Sequence, residues 1–222
     1  MTSRWPTKDK PWGVTVTSDH NVLVTFVQRF LVVEYSTDGH QLRHVRLPSD
    51  VLHPLHADWL PTGRLVISHG DGTDVLHRLC AFDVDDDGRA ATAAALDGRR
   101  DDRHVLDVTQ LAWLTAGGTD VPLDVPGHVA VDRASGRVLV ADVNNSRLLT
   151  ADRRLTRCSV LLELAAEREF PTRLCLDASR RRLYVAVNGA VRDGRWTAGR
   201  VLVFFVGDHR SMIQDFPRAD VL

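Results

Sequence analysis

The amino-acid sequence predicts an all-β fold in which small antiparallel sheets stack radially, a β-propeller. Three observations carry this expectation. Prolines at 11, 54, 126 and 171 open segments of similar grammar at a spacing of about 45 residues, apart from one longer interval. Within each segment, β-branched residues and leucine alternate with polar ones over short runs. Clusters of Asp, Gly, Asn or Ser divide those runs. A sheet of three or four short strands has two faces and cannot bury both alone, so successive sheets must cover one another. A parallel β-solenoid repeats at roughly half this period or less, and an immunoglobulin-like sandwich does not predict a recurrent Pro-x-x-V-x-V opening.

Taken in order, the first repeat covers residues 11–47 (PWGVTV, NVLVTF, FLVVEY, HQLRHVRL). The second covers 54–98 and opens PLHADWLPTGRLVISHG. Residues 99–125 make the interval to the third repeat longer and read as an insertion or a degenerate blade. The third repeat, 126–165, is the clearest: PGHVAVD, GRVLVAD and RLLTA are three alternating runs divided by RAS and VNNS. The fourth, 171–206, pairs PTRLCLD with RRLYVAV and reaches RVLVFFV after a long turn. Four blades are thus legible in a single domain spanning 1–222. Gly39, Gly63, Gly88, Gly136 and Gly199 fall in or beside the turns, where positive φ is tolerated.

Composition sets outer bounds on function. The chain has 28 Lys+Arg against 29 Asp+Glu and 44% hydrophobic residues, which excludes a disordered or collagen-like chain. A net charge of -1 supplies no global field for nucleic acid or anionic lipid, so such binding requires a local patch. No apolar run reaches the length of a membrane span, and MTSRWPTKDKPW lacks the apolar core of a signal peptide, so a soluble, cytoplasmic protein is expected. Cys80, Cys158 and Cys175 are far apart and flanked by apolar residues, the pattern of buried free thiols. Aspartate outnumbers glutamate and marks loops, since it favours turns over strand interiors.

The segment PGHVAVDRASGRVLVADVNNSRLLTADRRL resembles an NHL repeat: a Pro, a strand ending near Asp, a Gly-led strand closing on V-x-V-A-D, then N-x-R and a third strand. The resemblance is weaker from Pro11 and Pro171 and weakest from Pro54. It implies a ring usually of six blades, like the C-terminal domain of TRIM-NHL proteins, which recognises partner proteins or RNA. It also implies structural roles for Asp142, Asn145 and Arg147. Three scattered cysteines cannot supply RING or B-box zinc ligands, so the ubiquitin-ligase activity of that family is not carried here. The repeat Asp is replaced at matching positions by Phe26, His69 and Val187. At about 45 residues per blade the chain holds at most about five blades, so the expectation is part of a six-bladed ring lacking its upstream blades.

Candidate chemistry is sparse. Asp83, Asp85, Asp87 and Gly88 form the first half of a calcium loop, but Ala91 and Ala94 stand where later ligands belong, so a solvated hairpin turn is expected and the metal site is weak. His53, His56, His69 and His77 read as loop or interblade histidines, with His53 and His56 on opposite faces of a strand. No Asp, Glu, Asn or His recurs at one repeat position in several blades, which argues against an enzyme with a central metal. Nucleophile and phosphate-cradling motifs are missing from the sequence. Arg99 and Arg100, then Arg153, Arg154 and Arg157, then Arg180, Arg181 and Arg182 lie in turns beside aspartates. They read as a charge-balanced edge, or as a phosphate-contacting patch if the turns converge on one rim. Trp12, Trp59 and Trp113 read as packing between blades. Trp196, beside Arg192 and Arg195, is either an interface anchor and base-stacking platform or a side chain folded over the blade edge. The sequence therefore predicts a non-enzymatic scaffold, without cofactor, that binds a protein partner through loops on one face, with RNA second. A propeller hydrolase or lyase with a central divalent metal is the alternative.

Overall fold

The computed structural model describes residues 5–7, 9–48, 51–70, 77–84, 105–114, 122–164, 169–189, 191–192, 195–196 and 199–206. Of these, 83–84, 105–114, 191–192 and 195–196 are described as backbone. The chain is all-β. Blade 1 is β1 (Gly13–Val16), β2 (Val22–Phe26), β3 (Leu31–Tyr35) and β4 (Gln41–Arg46), and blade 2 is β5 (Pro54–Trp59), β6 (Leu65–His69), β7 (Arg78–Val84) and β8 (Val105–Leu114). Blade 3 is β9 (Pro126–Asp132), β10 (Arg137–Asp142), β11 (Arg147–Ala151) and β12 (Cys158–Glu163). Blade 4 pairs β13 (Phe170–Asp177), β14 (Arg182–Asn188) and β17 (Arg200–Phe205), with the hairpin β15 (Val191–Arg192) and β16 (Arg195–Trp196) between β14 and β17.

Pairing inside each blade is antiparallel. Residues 105–114, within the expected insertion, do not form a blade of their own. They are the outer strand of blade 2, paired antiparallel with β7. Their other edge pairs in parallel with β4, His44 opposite Val105 and Arg46 opposite Asp107, so blades 1 and 2 join at their outer edges into one eight-stranded sheet. This covers two edges that would otherwise be open to aggregation.

The period-2 alternation sends successive residues to opposite neighbours. Leu65 and Ile67 of β6 pack with Leu23, Val32 and Val45 of blade 1. Val66, between them, packs with Val129, Val138 and Val140 of blade 3. Leu139 and Ala141 of β10 then turn toward Leu183, Val185 and Leu202 of blade 4. Each fully buried aliphatic side chain contributes about 1.5–3 kcal/mol, so the junctions are the main source of stability. The first strand of each blade packs on that of the next, β1 on β5, β5 on β9 and β9 on β13.

Aspartate shapes the turns. Asp132, Asp152 and Asp177 each accept hydrogen bonds from a backbone N–H of the following turn, those of Ala134 (3.1 Å), Thr156 (2.8 Å) and Arg180 (3.0 Å). Gly63 and Gly136 close two of the first turns of blades with φ of +80° and +72°, which a side chain would strain.

Two expectations fail at the ends of this arrangement. Cys80 and Cys158 are buried, but Cys175 is exposed. Trp59 is buried between blades 1 and 2, but Trp12 is 57% exposed. Both exposed residues lie on the outer faces of blades 4 and 1, where no neighbouring blade stands among the described residues.

Candidate functional site

Polar side chains line the junctions between first strands. The second residue after the opening proline is Gly13, His56, His128 and Arg173 in blades 1 to 4. This corrects the reading that no histidine recurs at one repeat position: Pro-x-His occurs in blades 2 and 3, and Pro-x-Arg in blade 4. The sequence signal for His128 and Arg173 is the second residue after each opening proline, a repeat position separate from that of the repeat Asp.

The two imidazoles stack, with ring centroids 3.6 Å apart and planes inclined by 28°. Thr15 Oγ1 donates to Ala57 O (2.7 Å), which leaves it to accept from His56 Nε2 at 3.2 Å. Val14 O is a second acceptor for His56 Nε2 at 3.3 Å. His56 Nδ1 is buried with no hydrogen-bond partner. His128 Nδ1 accepts from Leu174 N at 3.4 Å. Burial pushes His56 down to about 4, with the Arg173 charge adding to it. Burial first, then His56 and Arg173, push His128 down to about 2. Both rings are therefore neutral at physiological pH and too weakly basic for proton transfer there. Next in the row, Asp58 accepts from Val131 N (3.0 Å) and from Arg133 Nη2 (3.2 Å), and its burial raises its pKa.

The second constellation is the latch of blade 3. Buried Asp142 accepts from Arg147 Nε (2.7 Å), Asn145 Nδ2 (2.9 Å) and the backbone N–H of Asp124 (2.8 Å). Asn145 Nδ2 and Arg147 Nη2 also donate to Pro122 O, at 2.7 and 3.2 Å. All three residues thus tie the segment entering blade 3 to its second turn. At the matching position of blade 2, buried His69 places Nε2 3.2 Å from Cys80 Sγ.

The third feature is a basic rim. First-strand ends Asp132 and Asp177 lie at the same end of blades 3 and 4, because β9 and β13 pack side by side with their starts matched by the His128 to Leu174 bond. Turn 152–157 joins them: a Cβ placed on Gly136 would lie 3.2 Å from the Arg153 side chain. The three turns 132–137, 152–157 and 177–182 together hold eight arginines and three aspartates. Arg153, Arg154, Arg157, Arg180 and Arg181 are exposed. Arg180 pairs with Asp177 at 3.0 Å, Arg181 Nε donates to Val206 O (3.1 Å), and Arg182 lies 5.2 Å over the Phe205 ring. Hydrogen bonds from Ser179, then from the Arg180 backbone, hold Asp177 down to about 2.

Arg192, Arg195 and Trp196 lie on the β15–β16 hairpin, where Val191 pairs with Trp196 and Arg192 with Arg195. Their side chains fall outside the description, as does that of Asp83 at the end of β7. Asp85, Asp87, Arg99 and Arg100 lie outside the described residues. Among the described residues no group of three or more His, Cys, Asp or Glu is placed to hold a metal ion.

No protein-family model and no curated protein matches the chain. Solved structures match in fold. Virginiamycin B lyase from Staphylococcus aureus aligns at 12% identity with a TM-score of 0.50, covering 89% of this chain and 56% of the lyase. Hydrazine synthase of Kuenenia stuttgartiensis aligns at 10% and 0.52, covering 86% of this chain and 49% of that one. A chain of the nidogen/laminin complex aligns at 15% and 0.52, covering 86% and 64%. The fold is a β-propeller, and the chain spans about half to two thirds of the length of these structures. Among the described residues no helix is long and apolar enough to cross a membrane.

Proposed function

We propose that this chain is a non-enzymatic binding scaffold of NHL type that recognises an acidic protein surface through the turns at one end of blades 3 and 4. The observation that carries the reading is that five exposed arginines, Arg153, Arg154, Arg157, Arg180 and Arg181, lie in three adjacent turns that hold three aspartates. Asp132 and Asp152 accept from the N–H groups of their own turns and Asp177 pairs with Arg180, so the exposed arginines outnumber the carboxylates beside them and leave this end with positive charge. Complementary charge steers a partner and fixes its orientation. The latch of Asp142, Asn145 and Arg147, in the turn at the other end of blade 3, matches the NHL-like pattern of that blade.

The stacked histidines favour this reading over a metal-dependent lyase or hydrolase. Lone pairs of stacked imidazoles lie in nearly parallel planes and do not converge on one ion, and the Arg173 charge opposes a cation beside them.

The test uses two labelled probes, a glutamate-rich peptide and oligouridylate, titrated against residues 1–222 at rising salt. The peptide is expected to bind, and the combined variant Arg153→Ala, Arg154→Ala, Arg157→Ala and Arg180→Ala to weaken it about tenfold with an unchanged melting temperature. Absence of peptide binding, or binding indifferent to the four substitutions, overturns the proposal. Tighter binding of oligouridylate with a steep salt slope transfers the rim to RNA.

A further inference from the structure

The junctions between successive first strands are closed by acceptors of different chemistry. Between blades 1 and 2, Thr15 of β1 and Thr25 of β2 donate to the carbonyls of Ala57 (2.7 Å) and Leu55 (3.0 Å). Between blades 2 and 3, the Asp58 carboxylate accepts from Val131 N (3.0 Å) and Arg133 Nη2 (3.2 Å). Between blades 3 and 4 the acceptor is a ring nitrogen, His128 Nδ1, which takes the Leu174 N–H at 3.4 Å. Acid acts on these acceptors differently. A backbone carbonyl does not titrate, and a protonated carboxyl group keeps an oxygen that accepts. An imidazolium carries N–H at both nitrogens and accepts nothing. Protonation of His128 therefore takes from the Leu174 N–H the acceptor that ties β13 to β9.

The surroundings oppose that proton for as long as the junction stays closed. His56 and His128 are both buried, with ring centroids 3.6 Å apart, so protonating both puts two like charges in contact away from water. The charges acting on the pair are each other's and that of Arg173, one residue before Leu174 on β13. Every other titratable group on the elements packed here is engaged elsewhere or exposed. Asp58 of β5 is held by Val131 N and Arg133, Asp142 at the end of β10 by Arg147 and Asn145, and His69 of β6 turns to Cys80 Sγ. Cys175 of β13 is exposed. From blade 1, Gly13, Val14 and Thr15 bring no charge.

We propose that the stack of His56 on His128 is a proton-operated release for the junction between blades 3 and 4. On mild acidification β13 comes away from β9 at the Leu174 contact while the blades themselves stay folded. The site lies at the starts of these two strands, away from the rim turns at their ends.

The closed pair stays neutral down to about 4 for His56 and about 2 for His128, whereas rings separated and opened to water take up protons near 6.5. Below that value the opened junction binds protons that the closed one refuses, and separation also carries the Arg173 charge away from the rings. The opened population therefore rises as pH falls, by about tenfold per pH unit for one ring and about a hundredfold for both. Farther from the axis, Leu139 and Ala141 of β10 pack with Leu183, Val185 and Leu202, a seam without a titratable group. That seam does not respond to the proton and confines the release to the first strands.

The experiment is amide hydrogen exchange of residues 1–222 by NMR between about pH 7 and about pH 5, expressed as protection relative to an unstructured chain at the same pH. Protection of the Leu174 amide is expected to fall by about tenfold or more per pH unit below about pH 6.5, while the Leu139 and Val185 amides keep theirs. In the combined variant His56→Gln with His128→Gln, side-chain amides that accept but do not titrate replace the rings, and Leu174 protection should be the same at both ends of the range. A Leu174 amide unprotected at neutral pH, or equally protected throughout, overturns the proposal. So does loss of its protection only in step with Leu139 and Val185, which is global unfolding, or a pH dependence that survives in the combined variant. Exchange in the unaltered chain decides the matter by itself if that variant does not fold.

Discussion

Removing the Asp142 carboxylate should cost more than any surface change in this protein. Asp142 and Arg147 are both buried, joined at 2.7 Å, and the same carboxylate accepts from Asn145 and from the Asp124 N–H. Asp142→Ala leaves the Arg147 charge in place without its counter-charge, a change worth about 3–5 kcal/mol. The abandoned Asp124 N–H adds about 1 kcal/mol. Against a total stability of about 5–15 kcal/mol for a domain, this is a large share. Asp142→Asn, which keeps an acceptor but removes the charge, should fall between. Replacing both partners, Asp142→Leu with Arg147→Met, should cost less than Asp142→Ala alone, because no buried charge remains. Urea unfolding followed by circular dichroism gives the free energies, and hydrogen exchange at the Asp124 amide reports whether the segment entering blade 3 has come loose. A loss below about 1 kcal/mol for Asp142→Ala, or a double variant as unstable as the single, would refute the idea that this latch is an electrostatic pair holding two loops.

Stability should also fall on mild acidification. The native chain keeps His56 and His128 neutral down to about 4 and about 2, while the unfolded chain protonates both near 6.5. Their contribution is complete above the unfolded value and is lost as pH drops from about 6.5 toward the folded values, with a slope of up to about 2.7 kcal/mol per pH unit for two protons. Equal urea midpoints at about pH 7 and about pH 5 would contradict this, and His128→Gln should flatten the dependence. Gly13→Ala should destabilise by about 1–3 kcal/mol in the same assay, because its methyl group would lie 2.5 Å from Leu55 O and 2.6 Å from Thr25 Oγ1. A wild-type midpoint for that variant would mean that β1 and β5 can separate freely.

Within one repeat, sequence alone determined a good deal. The alternation of PGHVAVD, GRVLVAD and RLLTA fixes strands β9 to β11, because side chains of period two suit only a pleated strand between two covering layers. Asp142, Asn145 and Arg147 were legible together because they sit on one hairpin, where local register brings residues three and five apart into contact. The aspartate-led turns were legible for the same reason.

Tertiary structure decided everything that joins one repeat to another. Residues 105–114 became the outer strand of blade 2 because β7 and β4 offered two open edges, a fact located 20 and 60 residues away in the chain, roughly, and invisible to any local pattern. His56 and His128 meet only because stacking brings equivalent positions of consecutive blades side by side. The alternating pattern shows that a strand has two apolar faces, but it does not show which are covered. Cys175 and Trp12 follow the same local rules as buried Cys80 and Trp59. They are exposed because burial belongs to the neighbouring blade, and hydrophobic free energy depends on the area removed from water rather than on the residue that carries it.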